Sequence, residues 1–139
     1  MKYYSIFIDG IDKTGKDLIQ AYIDILSNHR FLVKSRGVLS LIAYSNLYNR
    51  NYKYELENER DSVNVLLTVD KLDWLTRCEI NRETKIDYEE NCKKFEEAYQ
   101  LLSKYSNNIL TYNTSKLTPF EISISIIKYM EEINNEKIL

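Results

Sequence analysis

The sequence predicts an α/β fold, a three-layer sandwich in which a short parallel sheet of about four strands lies between helices. Three observations carry that expectation. Strand-length apolar runs alternate with segments of helical period, in the order βαβαβ(α)αβα, and this alternation gives a parallel sheet with crossover helices on both faces. The first run, residues 2–8, is nearly unbroken in its apolar character, as suits a central strand covered on both sides. A loop with Gly at each end then joins that run to an amphipathic helix pattern.

Length and composition bound the rest. A chain of 139 residues suggests one domain, 1–139, with one core. The net charge of −2 offers no basic field for nucleic acid or an anionic membrane. No apolar run approaches the roughly 18 residues of a membrane span. Met1-Lys2-Tyr3-Tyr4 is already strand-like and reads as no signal peptide. Cys78 and Cys92 lack CxxC spacing and read as reduced thiols, so the expected location is cytoplasmic. His29, the one histidine, falls in a helix–strand turn and reads as a turn residue.

The elements follow in order. Residues 16–28 form a first helix with Leu18, Ile19, Tyr22, Ile25 and Leu26 on its apolar side. Residues 31–34 are a short strand ending in Ser35-Arg36-Gly37. Residues 38–50 read as a helix packed through Leu39, Ile42, Ala43, Tyr44 and Leu47. Residues 51–61 are polar and carry no clear period. A strong strand at 63–69 precedes Asp70, which caps a short helix, 71–77, with Leu72 and Leu75 inward and Trp74 packing. Residues 77–85 are a charged, non-periodic link, equally a solvated loop or a phosphate-clamping mobile lid. Residues 87–105 are the clearest helix, with Tyr88, Cys92, Phe95, Tyr99, Leu102 and Tyr105 in one stripe. After a strand at 108–112, Thr118, Pro119 and Glu121 spell the N-cap, first-turn proline and capping box of a last helix that runs to about 133.

The chemistry concentrates in Gly10-Ile11-Asp12-Lys13-Thr14-Gly15-Lys16-Asp17. Strand, GxxxxGK and helix are the context of a phosphate-binding P-loop, which makes the fold P-loop NTP hydrolase-like. Gly10 and Gly15 allow close backbone approach to phosphate. The N–H groups of Gly15, Lys16 and Asp17 would open the helix toward an anion, and Lys16 would reach the β- and γ-phosphates. Gly10, Lys13, Thr14, Gly15, Lys16 and Asp17 are therefore the candidate ATP-phosphate ligands. The alternative is a tight strand–helix turn with no ligand. Asp17 stands where a P-loop has the Ser or Thr that binds Mg²⁺. A carboxylate can ligate Mg²⁺, so Asp17 is the candidate metal ligand. Without metal, its repulsion of a phosphate charge is about 1 kcal/mol in water and about 4 at intermediate dielectric. Its favourable place at a helix N-terminus is worth roughly 0.3–1 kcal/mol. Asp17 thus either holds a metal or weakens nucleotide binding. Arg36 follows a strand at the carboxyl edge, where open α/β sheets bind ligands.

Taken together, the chain resembles the thymidylate kinase group of P-loop nucleotide kinases, particularly its small phage-type versions. Phe7-Ile8-Asp9-Gly10-Ile11-Asp12-Lys13-Thr14-Gly15-Lys16 is close to that family's F-E-G-x-D-x-x-G-K. Ser35-Arg36-Gly37, with Leu39, Ser40 and Tyr44, is similar to its D-R motif and following helix. Residues 65–77, Asp87-Tyr88-Glu89 with Phe95 and Tyr99, and Leu117-Thr118-Pro119 resemble later family segments. The resemblance implies ATP and Mg²⁺ as cofactors and a (deoxy)nucleoside monophosphate or nucleoside as acceptor. It implies that Lys16 holds ATP phosphates, Asp12 contacts the acceptor's sugar and Lys13 assists near the transferred group. Arg36 would bind the acceptor or transferred phosphate, and Arg77 and Arg82 would be lid arginines stabilising transition-state charge. Such catalysis is positioning and electrostatics. Three departures accompany it: Asp17, Ser35 where the family has an acid, and a missing segment of the acceptor region before residue 31. They motivate the alternative of a decayed kinase-like protein that binds a nucleotide or protein partner without turnover. A homodimer paired through tyrosine-bearing helix faces is a third reading.

Overall fold

The computed structural model describes residues 2–11, 14–47, 61–80 and 87–139. In chain order these form β1 (Ser5–Gly10), α1 (Lys16–Leu26), β2 (Leu32–Ser35), α2 (Val38–Leu47), β3 (Ser62–Thr68), α3 (Lys71–Ile80), α4 (Tyr88–Leu102), β4 (Ile109–Asn113) and α5 (Pro119–Asn134). The described strands make a four-stranded, all-parallel sheet in the order β2-β1-β3-β4. The α/β class, the strand number and the near-central place of the first strand are as the sequence predicts. Residues 48–60 and 81–86, which include the last three residues expected in the helix of 38–50, nearly all of the polar segment 51–61 and most of the charged link read as a loop or a lid, lie outside the described residues.

The sheet divides the core in two. Ile6, Ile8, Val63, Val65 and Leu67 face α1 and α5, where Ile19, Ile23, Ile122, Ile126 and Met130 meet them. Leu66 faces the other way, onto Leu39 and Ile42 of α2, Trp74 of α3 and Phe95 of α4. Tyr44 stands edge-on to Phe95 with ring centroids 5.5 Å apart. Alternate residues of each strand thus serve opposite layers. The capping box of α5 is formed as read: Glu121 N–H donates to Thr118 Oγ1 at 3.1 Å, and Thr118 N–H to Glu121 Oε1 at 3.2 Å. At the outer edge of the sheet, Gln20 Nε2 of α1 donates to the Val33 carbonyl of β2 at 2.9 Å.

Some expectations need correction. Of the α1 stripe, Leu18 and Ile25 point to solvent, 50% and 71% exposed, while Ile23 is buried in their place. Two stripes share that helix, and packing uses the 19/23 pair against the sheet. Tyr22, half-buried, stands edge-on to the Phe120 ring with centroids 5.7 Å apart. Leu72 is likewise outward, 76% exposed, whereas Trp74 is buried. The helix expected over 71–77 runs on through Ile80, so Cys78, Glu79 and Ile80 are helical rather than part of a link. Trp74 and Cys78, one turn apart and both buried, carry its apolar side past the point where charged neighbours hid it. Tyr105, at the end of the α4 stripe, lies beyond the helix and is 40% exposed.

These placements give opposite expectations for neighbouring residues. Leu72→Ala should change stability by no more than about 0.5 kcal/mol, as a surface substitution does. Trp74→Ala should cost about 3–5 kcal/mol through the cavity it leaves. Urea unfolding monitored by circular dichroism would compare them, and equal losses would contradict the assigned face of α3.

Candidate phosphate-binding site

The carboxyl ends of all four strands lie on one edge of the sheet, and the candidate residues that are described gather there. β1 extends two residues past its expected end, so Asp9 and Gly10 pair with Leu66 and Leu67 of β3. A Cβ on Gly10 would lie 2.7 Å from the Leu67 carbonyl oxygen, which no side chain could relieve because the neighbour is backbone. Gly15 sits at the head of α1 with φ 82°, a left-handed conformation open to Gly. Its carbonyl accepts the first helical bond, from Ile19 N–H at 3.2 Å. Between the glycines, the Thr14 hydroxyl donates to the Ile11 carbonyl at 2.9 Å, folding the loop on itself. Lys16 Nζ donates to the carbonyls of Gly10 at 2.8 Å and Ile11 at 3.2 Å, which lays its ammonium over the loop mouth. Asp17 is exposed on the first turn of α1. Asp12 and Lys13 lie outside the described residues, as does Arg82.

On one side of the loop stands Arg36, at the end of β2. It is exposed, its φ is 77°, and its N–H donates to the Ile8 carbonyl at 2.8 Å. Left-handed backbone is uncommon in a bulky residue and costs about 1–2 kcal/mol. Its guanidinium has no hydrogen bond or ion pair with the described residues. On the other side is Arg77. Its Nη1 donates to Thr114 Oγ1 at 3.1 Å and its Nη2 to the Thr114 carbonyl at 3.2 Å, so it holds the turn after β4. The same turn is fastened to β3, with Thr114 N–H donating to the Thr68 carbonyl at 2.8 Å. Asp70, at the cap position of α3, joins this network: its N–H donates to Ser115 Oγ at 2.8 Å, and its Oδ1 accepts from Asn113 Nδ2 at 3.0 Å.

Sequence reasoning missed Asp9. It is fully buried, and its Oδ1 accepts the N–H of Gly37 at 2.7 Å, the N–H of Ser40 at 3.2 Å and the Ser40 hydroxyl. Oδ2 has no hydrogen-bond partner among the described residues. Burial pushes the Asp9 carboxyl above its usual range, and these hydrogen bonds and the Lys16 charge pull part of the way back. The available signal was an acid closing an apolar run read as covered on both faces, since a buried charge needs partners. The Thr114 turn was also unforeseen; only a cluster of turn-forming residues, Asn113-Thr114-Ser115, marks it.

The described residues hold no group of three or more His, Cys, Asp or Glu able to bind a metal by themselves. Mg²⁺, however, commonly takes one or two carboxylates and completes its shell with phosphates and water. The exposed Asp17 beside Lys16 fits that donor set.

Two measurements follow from this geometry. Because the native state raises the Asp9 pKa, it holds that proton more tightly than the unfolded chain does. The associated stability is present at low pH and is lost as pH rises from about 3.8 through the raised value. Urea midpoints of wild type relative to Asp9→Asn should therefore fall as pH increases through that window; a difference independent of pH would contradict the assignment. Arg36→Gly should gain about 0.5–1 kcal/mol, the left-handed penalty less glycine's extra chain entropy. A loss of stability in thermal melts would show that the turn at 36 is not strained.

No protein-family model and no curated protein matches the sequence. Solved structures do match. YorR from Bacillus subtilis, determined in complex with phosphorylated GDP, superposes with a TM-score of 0.68 at 15% identity over 96% of this chain and 99% of that one. Thymidylate kinase from Candida albicans superposes with a TM-score of 0.61 at 12% identity over 99% of this chain and 95% of that one. At such identities the likeness is one of fold, and the chain shares the α/β fold of these two structures.

Proposed function

We propose that this protein is a nucleotide-binding phosphotransferase of the thymidylate kinase type. It would move the terminal phosphoryl group of ATP to a (deoxy)nucleoside monophosphate or nucleoside. The observation that carries this reading is the loop after β1, with Gly15 in the left-handed region at the head of α1 and the Lys16 ammonium over the mouth. Amides at a helix N-terminus together with a lysine make an anion site. The nucleotide in the YorR structure and the thymidylate kinase fold support a nucleotide as the anion.

In this reading each residue acts by position or charge. The amides of Gly15, Lys16 and Asp17 hold the phosphate chain, and Lys16 stabilises charge on its oxygens. Arg36 meets the acceptor or transferred phosphate from the β2 side. Arg77 keeps the turn after β4 in place, and Arg82 supplies lid charge. Asp12 and Lys13 serve the acceptor sugar and the transferred group. Asp17 would hold Mg²⁺, which supplies charge neutralisation across the phosphate oxygens when bound.

A second reading has its own observation. The exposed carboxylate of Asp17 sits on the turn that would face the phosphates. Without metal, its repulsion of about 1–4 kcal/mol per phosphate charge leaves a protein that binds a nucleotide weakly, or a protein partner, without turnover. The chain also passes from α1 to β2 through residues 27–31 alone, which supports the loss of a family acceptor segment.

Calorimetric titration of ATP with and without Mg²⁺ separates these readings. The first expects Mg²⁺-dependent binding that weakens at least about tenfold in Lys16→Ala, the loss of one charge-assisted contact. It also expects phosphoryl transfer to at least one deoxynucleoside monophosphate. ATP binding unchanged by Lys16→Ala would sink the first reading and the nucleotide form of the second, and binding without transfer would favour the second.

A further inference from the structure

Helix α2 begins without a cap of its own. Gly37, whose carbonyl accepts from Leu41 N–H at 3.2 Å, has no side chain to satisfy the first-turn amides. Asp9 satisfies two of them from β1, and it adds the Ser40 hydroxyl. The neighbouring residues of β1 hold what lies on either side. Ile8 takes the Arg36 N–H, Asp9 takes the Gly37 N–H, and Gly10 takes the Lys16 ammonium. Three consecutive residues of one strand therefore fix the Arg36 turn, the start of α2 and the phosphate loop. The turn has no slack, since a Cβ on Gly37 would lie 2.6 Å from the Phe7 Cβ.

We propose that Asp9 is a positioning residue for Arg36. By gripping Gly37 and Ser40, it holds the left-handed turn that presents Arg36 at the end of β2, next to the strand that leads into the phosphate loop. The anion affinity that Arg36 contributes then depends on the Asp9–Ser40 contact. This inference rests on the phosphate-site reading of the loop. A plain helix-capping role for Asp9 would stabilise α2 and leave Arg36 indifferent.

Asp9→Ala strips one acceptor from three donors inside the core, so Ser40→Ala, which removes a single donor, is the variant to read. Inorganic tripolyphosphate is titrated calorimetrically into the full chain as wild type, Ser40→Ala, Arg36→Ala, the double variant and Lys16→Ala. Thermal melts of each accompany the titrations. Ser40→Ala should weaken tripolyphosphate about tenfold when Arg36 is present and by less than about twofold when it is absent, since linked residues are non-additive. Equal losses in both backgrounds would overturn the inference, because the effect on the anion would then not pass through Arg36. Binding that needs Lys16 and ignores Ser40→Ala would overturn the inference while the phosphate site stands. No binding to the wild type would overturn the site itself and the inference with it.

Discussion

β1 is constrained on four sides, and most of the molecule follows from that. It is hydrogen-bonded to β2 along one edge and to β3 along the other. α1 and α5 pack on one of its faces, and the start of α2 lies against the other. A strand held this way is largely apolar, its buried Asp9 being tolerated through partners across the edge, and its exits are confined to its ends. At the carboxyl end the pairing persists to Gly10, so the loop begins inside the sheet rather than beyond it. Only a residue without a side chain fits beside the Leu67 carbonyl there. The glycine follows from the register of the sheet as much as from any ligand.

The same edge shows how polar groups are managed where a core meets a site. Asp9 and Thr14 are both buried: the Thr14 hydroxyl is satisfied within the loop by the Ile11 carbonyl, whereas Asp9 Oδ1 takes its partners from Gly37 and Ser40 across the sheet edge. Arg77 spends its donors on the Thr114 turn, which ties α3 to the ends of β3 and β4. Arg36, by contrast, is exposed and held in a costly backbone conformation. Residues in such conformations persist when the surrounding structure over-determines them, and they gather at functional sites. The two arginines thus differ in kind, one built into the frame and one presented by it.

Much of this was legible in the sequence, for identifiable reasons. The order of elements, the central first strand, the capping box at Thr118 and the glycine-flanked loop all depend on local pattern. Local pattern is what a single chain displays. The exposed faces of Leu18, Ile25 and Leu72 were not legible, because periodicity locates a stripe without saying which of two stripes meets the sheet. The reach of α3 past Arg77 was hidden because charged neighbours masked Cys78. The Asp9–Ser40 contact joins residues far apart in the chain, and nothing local specifies it. What remained open concerned pairings between elements, and those come from tertiary register.

The bond from Gln20 to Val33 has a consequence for how the molecule meets other chains. Among the described strands β2 is an outer one, and in a parallel ladder the groups of alternate residues face away from the sheet. Leu32 and Arg36 turn their N–H groups toward β1, so the carbonyl of Val33 faces outward. An open carbonyl there would invite a further strand, whether from an aggregating copy or an extended peptide. The Gln20 amide already occupies it, and Lys34 is exposed beside it on the same short strand. Growth of the sheet on that side would have to displace the one and bury the charge of the other. The side chains of α1 and β2 thus act as gatekeepers against edge-to-edge association.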